Sequence, residues 1–377
     1  MNLRRTAAVA RKEFLHVLRD PLSLAMALAI PLLMLLLFGY ALTLDVDRVP
    51  LAIYDQSQTP QSRDLISRFL GSRYFASAGY VDDYAQVESA IDRGHALAAL
   101  VVPEEFARQV QAGRPCQVQF ILDGSDANTA TIAQGYAEAV AAEYGQSLLL
   151  RQFQRRGLGR PDPPLDLRQR VLFNTELESR NFIIPGLIAV IMTIIAALLT
   201  SLTVAREWER GTMEQLISTP IKPVELIVGK LAPYFVIAMA DVTLAVVMGQ
   251  YLFAVPLRGS VALLFAMAAI FLAGALSLGM VISTVTRNQL LASQMAILVT
   301  FVPSYLLSGF MFSIQNMPRV IQAVTYLIPA RYFIQILKGI YLKGVGLEIL
   351  GVQALLMTLF ASAAVVVAKV KFRKKLA

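Results

Sequence analysis

Residues 182–220 read FIIPGLIAVIMTIIAALLTSLTVA (182–205) followed by REWERGTMEQLISTP (206–220). The first part holds no charged residue, and a helix of ~20 residues is enough to cross a hydrocarbon core of ~30 Å. The second part alternates charge, carries the only tryptophan of the chain, and then runs through Gly211 and a short amphipathic stretch to Pro220. A membrane span ending in a built surface segment is the pattern from which the rest of the chain is read.

Uncharged runs of similar length recur at Leu22–Leu44, Gly259–Thr286 and Ile349–Ala368, and from Asn288 to Pro318. A further run, Leu231–Leu257, is interrupted only by Asp241. Together they predict an α-helical membrane protein with six transmembrane helices at 22–44, 182–205, 231–257, 259–286, 288–312 and 349–368. Pro303, Gly309 and Pro318 punctuate the fifth run, which predicts a broken or re-entrant outer end over 313–348. Such an end is tolerated only where protein covers the loosened backbone.

The composition agrees. The 377 residues are 56% hydrophobic and only 16% charged, with a mean hydropathy of +0.58. A soluble enzyme carries about 25% charged residues, and a disordered chain lacks this apolar content. The net charge is +8, but the basic residues flank the apolar runs, so their placement points to topology rather than to nucleic acid. With the N-terminus inside, the short inner segments (1–21, 206–230, 287 and 369–377) carry fifteen Lys or Arg, and the short outer ones five. This bias places both termini in the cytoplasm and residues 45–181 outside it.

Residues 45–181 hold 14 basic and 18 acidic residues and read as an inserted α/β (α+β) extracytoplasmic domain. Strands are predicted at Leu51–Asp55, 74–81, 96–102 and 117–122, helices at 59–70, 82–93, from Pro103, and over 127–154, with a Pro/Gly linker at 157–164. Asp123-Gly124-Ser125-Asp126 lacks the spacing and closing Glu of an EF-hand and reads as a strand-to-helix turn. Cys116, the only cysteine, excludes a disulfide framework. His16 and His95 lie far apart, and no metal site is expected.

Catalytic motifs are absent from the sequence. No G-x-x-x-x-G-K-[ST] occurs, and Gly229-Lys230 is followed by Leu231, which offers magnesium no hydroxyl. Asp241 is the one ionisable residue placed within a span, which makes it a candidate for the substrate path beside a structural reading. Phe301, Tyr305 and Phe310 join it as apolar candidates. Phe14, Leu15, Val17 and Leu18 against Arg11, Lys12 and Arg19 fit an in-plane amphipathic helix. In the inner segment, Met213, Leu216 and Ile217 form the apolar side of a short helix suited to a partner's groove.

The phrases from Asn181 through Pro220, with "IIPG", "TSLTVAREWERGTMEQL" and "STPI", resemble the permease subunits of ABC-2 type exporters. So do "ISTVTRNQ", "LLSGFMFSIQNMP" and "YLIPARYFIQILKGIYLKG", and "DGSDANTA" resembles the bacterial subfamily with a large periplasmic domain. The resemblance implies two permeases, identical or sister subunits, seated on two cytoplasmic ABC ATPase subunits that bind ATP and Mg, with no cofactor on this chain and no catalysis by it. It implies ATPase-coupling contacts from Arg206, Glu207, Trp208, Glu209, Arg210, Gly211, Thr212, Met213, Glu214 and Leu216. It also implies an interface helix with Arg11, Lys12, Phe14, Leu15 and Leu18, and an outer element at Arg319–Leu342. A bacterial inner-membrane location follows, with a periplasmic adaptor and outer-membrane channel as further partners, lipid around it, and no nucleic acid. The expected function is export of an amphipathic drug-like or lipid-like substrate. The alternative is mechanotransmission without translocation, in which the ATPase moves the outer domain. A membrane enzyme and an ion-coupled carrier are disfavoured by the missing catalytic groups and the sparse intramembrane charge.

Overall fold

The structure, a computed structural model, describes residues 2–19, 21–41, 48–155, 172–174, 178–213, 215 and 219–372, without the side chains of 21–24, 26, 152 and 155. Two compact units divide the chain: Met1–Thr43 with Val171–Ala377, and Leu44–Arg170. The first opens with helix α1, Leu3–Arg19, and helix α2, Pro21–Ala41. The described apolar part of α2 is Ala27–Ala41. The predicted end of that span, residues 42–44, lies outside the described residues.

The unit Leu44–Arg170 alternates strand and helix: β1 Val49–Asp55, α3 Pro60–Gly71, β2 Phe75–Tyr80, α4 Tyr84–Asp92, β3 Ala98–Val102, α5 Phe106–Ala112, β4 Gln119–Leu122, α6 Ala127–Arg155. The sheet order is β2-β1-β3-β4, parallel except for β4. The two-residue period of a strand sorts its side chains. Val49, Leu51 and Ile53 with Ala98, Leu100 and Val102 pack on α3, α5 and α6, while Ala52 and Ala99 meet Val87 of α4 on the other face. Thr59 caps α3 and Asp83 caps α4 through backbone N–H groups. Asp123 accepts from Ser125 N at 2.9 Å and Asp126 from Asn128 N at 3.1 Å, so "DGSD" is the turn that launches α6. Hydrogen bonds from Ser125 and Thr129 hold these two carboxyls below the usual carboxylate range.

The other unit continues with α7 Ser179–Glu209, α8 Pro223–Leu252, α9 Val261–Thr286, α10 Gln289–Leu307, α11 Arg319–Thr325, α12 Pro329–Lys343 and α13 Leu347–Lys371. Among the described residues five helices (α7 to α10 and α13) are long and apolar enough to cross a membrane, or six if α11 and α12, bent by 81° at their junction, form one span. Helix α7 is the centre: it packs on α2, α8, α9, α10 and α12 and is buried nearly all round, whereas α10 and α13 present most of their apolar surface outward. That explains why 182–205 shows no amphipathic face: a helix apolar on every side has protein or lipid on every side.

Several boundaries differ from the sequence reading. Helix α8 begins at Pro223, not at 231. Pro at the first turn and Glu225 accepting the Lys222 N–H at 3.1 Å start it early. Helix α7 runs to Glu209, beyond 205. Within the inner segment expected over 206–230, only 210–222 lies between the two helices. Helix α10 ends at Leu307 rather than 312, because the chain turns through Ser308 and Gly309, whose φ is +82°. α8, α10 and α12 each contain a π-helical turn, at Met248–Leu252, Ile297–Phe301 and Gly339–Lys343.

Helices α7 and α9 touch backbone to backbone. Ser283 Oγ of α9 accepts from the N–H groups of Val204 and Ala205 at 3.0 and 2.9 Å. A methyl group added at Gly279 would meet Thr200 Oγ1 and, at 2.5 Å, the Ala197 carbonyl oxygen. Gly279→Ala is expected to destabilise the permease by about 1–3 kcal/mol through overpacking, read as a lower melting temperature in detergent. Gly351→Ala, where a methyl group meets nothing within 4 Å, is expected not to lower it.

Candidate functional site

The charged end of α7 meets α1, the first turns of α8 and the α9–α10 turn. Helix α1 turns Thr6, Val9, Glu13 and Val17 inward, residues three or four apart on one helix face. Against this stripe lies Gly229 of α8, where a Cβ would stand 2.7 Å from Val9 Cβ and 3.0 Å from the Thr6 carbonyl oxygen. The two helices therefore approach almost backbone to backbone. The start of α1 is tied down as well: Asn2 N donates to Glu225 Oε1 at 2.6 Å, and Arg5 Nη1 to the Pro220 carbonyl at 2.5 Å.

At the centre is Lys230, 1% exposed. Its Nζ donates to Glu13 Oε1 at 2.9 Å and stands 2.9 Å from Glu207 Oε2. The second contact is an ion pair whose angle falls outside hydrogen-bond geometry, since Glu207 Oε2 has no hydrogen-bond partner. Lys12, largely exposed, reaches Glu207 Oε1 at 3.2 Å. Two carboxylates and two ammonium groups thus form a neutral cluster joining α1, α7 and α8. Arg206 Nη1 donates to His16 Nε2 at 2.9 Å, which requires that nitrogen to be the acceptor because guanidinium has no lone pair to offer. A cavity of about 240 Å³ lies beside the cluster, lined by Lys12, Glu13, His16, Arg206, Glu207 and Tyr234 among others.

The last turn of α7 also grips the α9–α10 turn. Glu209 Oε1 accepts from Gln289 N at 2.8 Å, and Glu209 Oε2 from Gln289 Nε2. The Arg287 guanidinium lies 4.4 Å over the Trp208 ring, a cation–π contact. Trp208 is half-buried.

These positions correct parts of the sequence reading. Glu207 is buried in an internal ion pair with Lys12 of α1 and Lys230 of the following helix, and it is not an exposed loop charge. Met213, expected on the apolar side offered to a partner, is 2% exposed and packs with Val9, Val204, Leu226 and Met280. The helix expected after Gly211 is described only at 212, 213 and 215, and Glu214, Leu216 and Ile217 lie outside the described residues. Glu209, Arg210, Gly211 and Gln215 are exposed, and Thr212 is half-buried. Along α1, Phe14, Leu15 and Leu18 are exposed together with Arg11 and Lys12, whereas Val17 faces protein. The sequence reading missed Lys230, which it placed among the loop charges. The pairing spans 217 positions and leaves no local pattern.

The candidate path residues separate into two places. Phe301, Tyr305 and Phe310 form a ring cluster, tilted and then edge-on, with centroids 5.6 and 5.8 Å apart, and Phe310 packs onto Gly186 of α7. Asp241 is 1% exposed on the face of α8 that also buries Tyr234, Ala238 and Ala245, and neither carboxyl oxygen has a hydrogen-bond partner. Among the described residues no group of three or more His, Cys, Asp or Glu stands ready for a metal ion.

Lys230→Met leaves Glu13 and Glu207 facing each other in the interior. It is expected to cost about 3–5 kcal/mol and to lower the amount of folded protein in the membrane. Glu207 keeps Lys12, so adding Glu13→Gln removes the carboxylate left without its cation and is expected to restore part of that loss, which fluorescence-detected gel filtration would register. Asp241→Leu replaces an unpartnered carboxyl by an apolar group and is expected to keep or raise the melting temperature of the purified permease. A lowered melting temperature would show that the carboxyl has a partner after all.

Residues 22–369 match the family described as ABC-2 family transporter protein. The chain is 38% identical over 353 residues to the "Probable multidrug ABC transporter permease YbhS" of Escherichia coli (strain K12), covering 91% of this chain and 90% of that protein. It is 32% identical over 340 residues to the "Probable multidrug ABC transporter permease YbhR" of the same strain, with 90% of each covered. It is 27% identical over 328 residues to that strain's "Inner membrane transport permease YhhJ", with 86% and 85% covered. The matches run through both apolar and polar segments, and the chain belongs to the ABC-2 family of transporter permeases, the multi-pass membrane subunits that work with an ABC ATPase.

Proposed function

We propose that this chain is the membrane-spanning subunit of an ATP-driven exporter in a bacterial inner membrane. It moves an amphipathic, drug-like or lipid-like substrate out of the cytoplasm or the membrane itself. Two such permeases, identical or sister chains, sit on two ATPase subunits that hold ATP and Mg. Both termini are cytoplasmic, residues 45–181 are periplasmic, and an adaptor and outer-membrane channel extend the path. Two relatives carry "multidrug" in their names, which supports a drug-like substrate.

The observation that carries this reading is the ion-pair cluster at the end of α7. The segment 210–222, whose Arg210, Gly211 and Gln215 are exposed, joins α7 to α8 where both are clamped to α1 through Glu13, Lys230 and Glu207. A push on that segment by a closing ATPase dimer moves the ends of α1, α7 and α8 together, and through Glu209 and Gln289 it reaches the α9–α10 turn. The chain supplies two arrangements of its helices that ATP binding and release favour in turn, and no covalent step. Phe301, Tyr305 and Phe310 line the substrate path in this reading, and Asp241 is a structural group inside α8.

Arg210 is exposed beside the clamp. In proteoliposomes holding the permease and its ATPase, Arg210→Glu is expected to reduce ATPase affinity by up to about tenfold, or ~1.4 kcal/mol, with an unchanged permease melting temperature. Unaltered affinity and unaltered drug-stimulated hydrolysis would remove Arg210 from the docking surface. For topology, Gln58→Cys in a Cys116→Ser background is expected to react with an impermeant thiol reagent in cells whose outer membrane alone is opened. Reaction only after the inner membrane is opened would reverse the orientation.

A further inference from the structure

The core of the Leu44–Arg170 unit is open on one side. Between α5 and α6 lies a cavity of about 370 Å³, within the range of small-molecule pockets. Its walls are Leu65, Phe106, Val110, Val118, Tyr144 and Leu148. Leu65, Phe106 and Tyr144 are buried members of the domain core, and the other three pack on that core from its edge. Leu149, more than half exposed, stands at the rim. A hydrophobic core normally closes over such surface; here α6 carries Leu148 and Leu149 past the end of α5 with an opening left between the two helices.

The charges around the opening have one sign in excess. Arg114 lines the cavity, is exposed, and forms no ion pair with a described residue; among the described residues no acidic side chain lines it. A second cavity of about 220 Å³ shares Val110, Tyr144 and Leu148 with the first, and the one carboxylate among its described lining residues, Asp64, is already paired with Arg151 at 3.2 Å and with Arg68 at 3.9 Å. The far wall is fixed by Tyr144, whose hydroxyl donates to the Gln61 carbonyl at 3.2 Å and whose ring faces Phe106 at 6.4 Å. An apolar slot with a free guanidinium at its mouth and no free carboxylate fits a ligand with an apolar body and a single negative end.

We propose that this cavity binds a single-chain anionic amphiphile, with the alkyl chain between α5 and α6 and the carboxylate or phosphate on Arg114. The site is separate from the helical unit that carries the transport reading, and its occupancy does not depend on that reading.

Cys116 lines the same cavity and is the only cysteine of the chain, so the natural protein carries its own reporter. Burial pushes its thiol above the usual range, and labelling is therefore followed at mildly alkaline pH. The full-length permease in phosphatidylcholine nanodiscs is alkylated with a neutral maleimide, with and without dodecanoate below its micellar concentration. Dodecanoate is expected to slow alkylation saturably by about tenfold, while dodecanol and dodecyltrimethylammonium leave the rate unchanged. Arg114→Gln is expected to abolish the protection but leave the unprotected rate as it was. Slow labelling in phosphatidylglycerol nanodiscs without dodecanoate would assign the ligand to the membrane; an unchanged rate there would assign it to the soluble phase. A thiol that reacts only after unfolding, equal protection by the three amphiphiles, or protection that survives Arg114→Gln would each overturn the proposal.

Discussion

An ammonium group buried among helices needs its charge balanced on the spot, and the arrangement of this permease around Lys230 follows from that requirement. Lys230 is one of the largest fully buried side chains. Removing it from water costs several kcal/mol, and only close carboxylates offset this. Glu13 supplies one from α1 and Glu207 supplies the other from α7. Three segments distant in sequence are thereby held in one register. A buried cluster of this kind is weak evidence for stability, since apolar side chains of the same volume would serve as well. It does fix which helix ends meet. Here those ends flank the segment 210–222, in which Arg210, Gly211 and Gln215 are exposed.

The same economy appears around α7. A helix apolar on every face has no amphipathic stripe to set its rotation, so its partners set it by close contact. Gly279 and Ser283 of α9 meet its backbone, and Phe310 fills the space over Gly186. Helices α10 and α13 turn more of their apolar surface outward. The contrast in burial between α7 and these two separates the fixed centre of the unit from its periphery.

Much of the fold was legible because it is local. Uncharged runs mark spans by length alone. In the Leu44–Arg170 unit, alternating strand and helix patterns place eight elements within a few residues. What could not be read was pairing across the chain. Lys230 and Glu207 looked like surface charges because charge in a sequence is exposed by default, and their partners on α1, Glu13 and Lys12, lie about two hundred residues away in the chain. Met213 looked like a docking residue because helical spacing shows an apolar side without saying what covers it. The start of α8 at Pro223 was hidden for the same reason: Glu225 and Lys230 made an apolar helix look like the end of a loop. The opening between α5 and α6 left no sequence signal, since Val110, Val118 and Leu148 have the composition of an ordinary core.

The central claim is that α1 and the adjoining ends of α7 and α8 move as one body when the ATPase closes. Hydrogen exchange on the intact complex, compared between the nucleotide-free state and a vanadate-trapped state, reads this directly, because amide protection reports local opening segment by segment. The account predicts that residues 3–19 and 223–230 keep the same protection as each other in both states, with any change confined to 210–222 and to the helices farther along. Loss of protection in 3–19 in one state while 223–230 stays protected would contradict it.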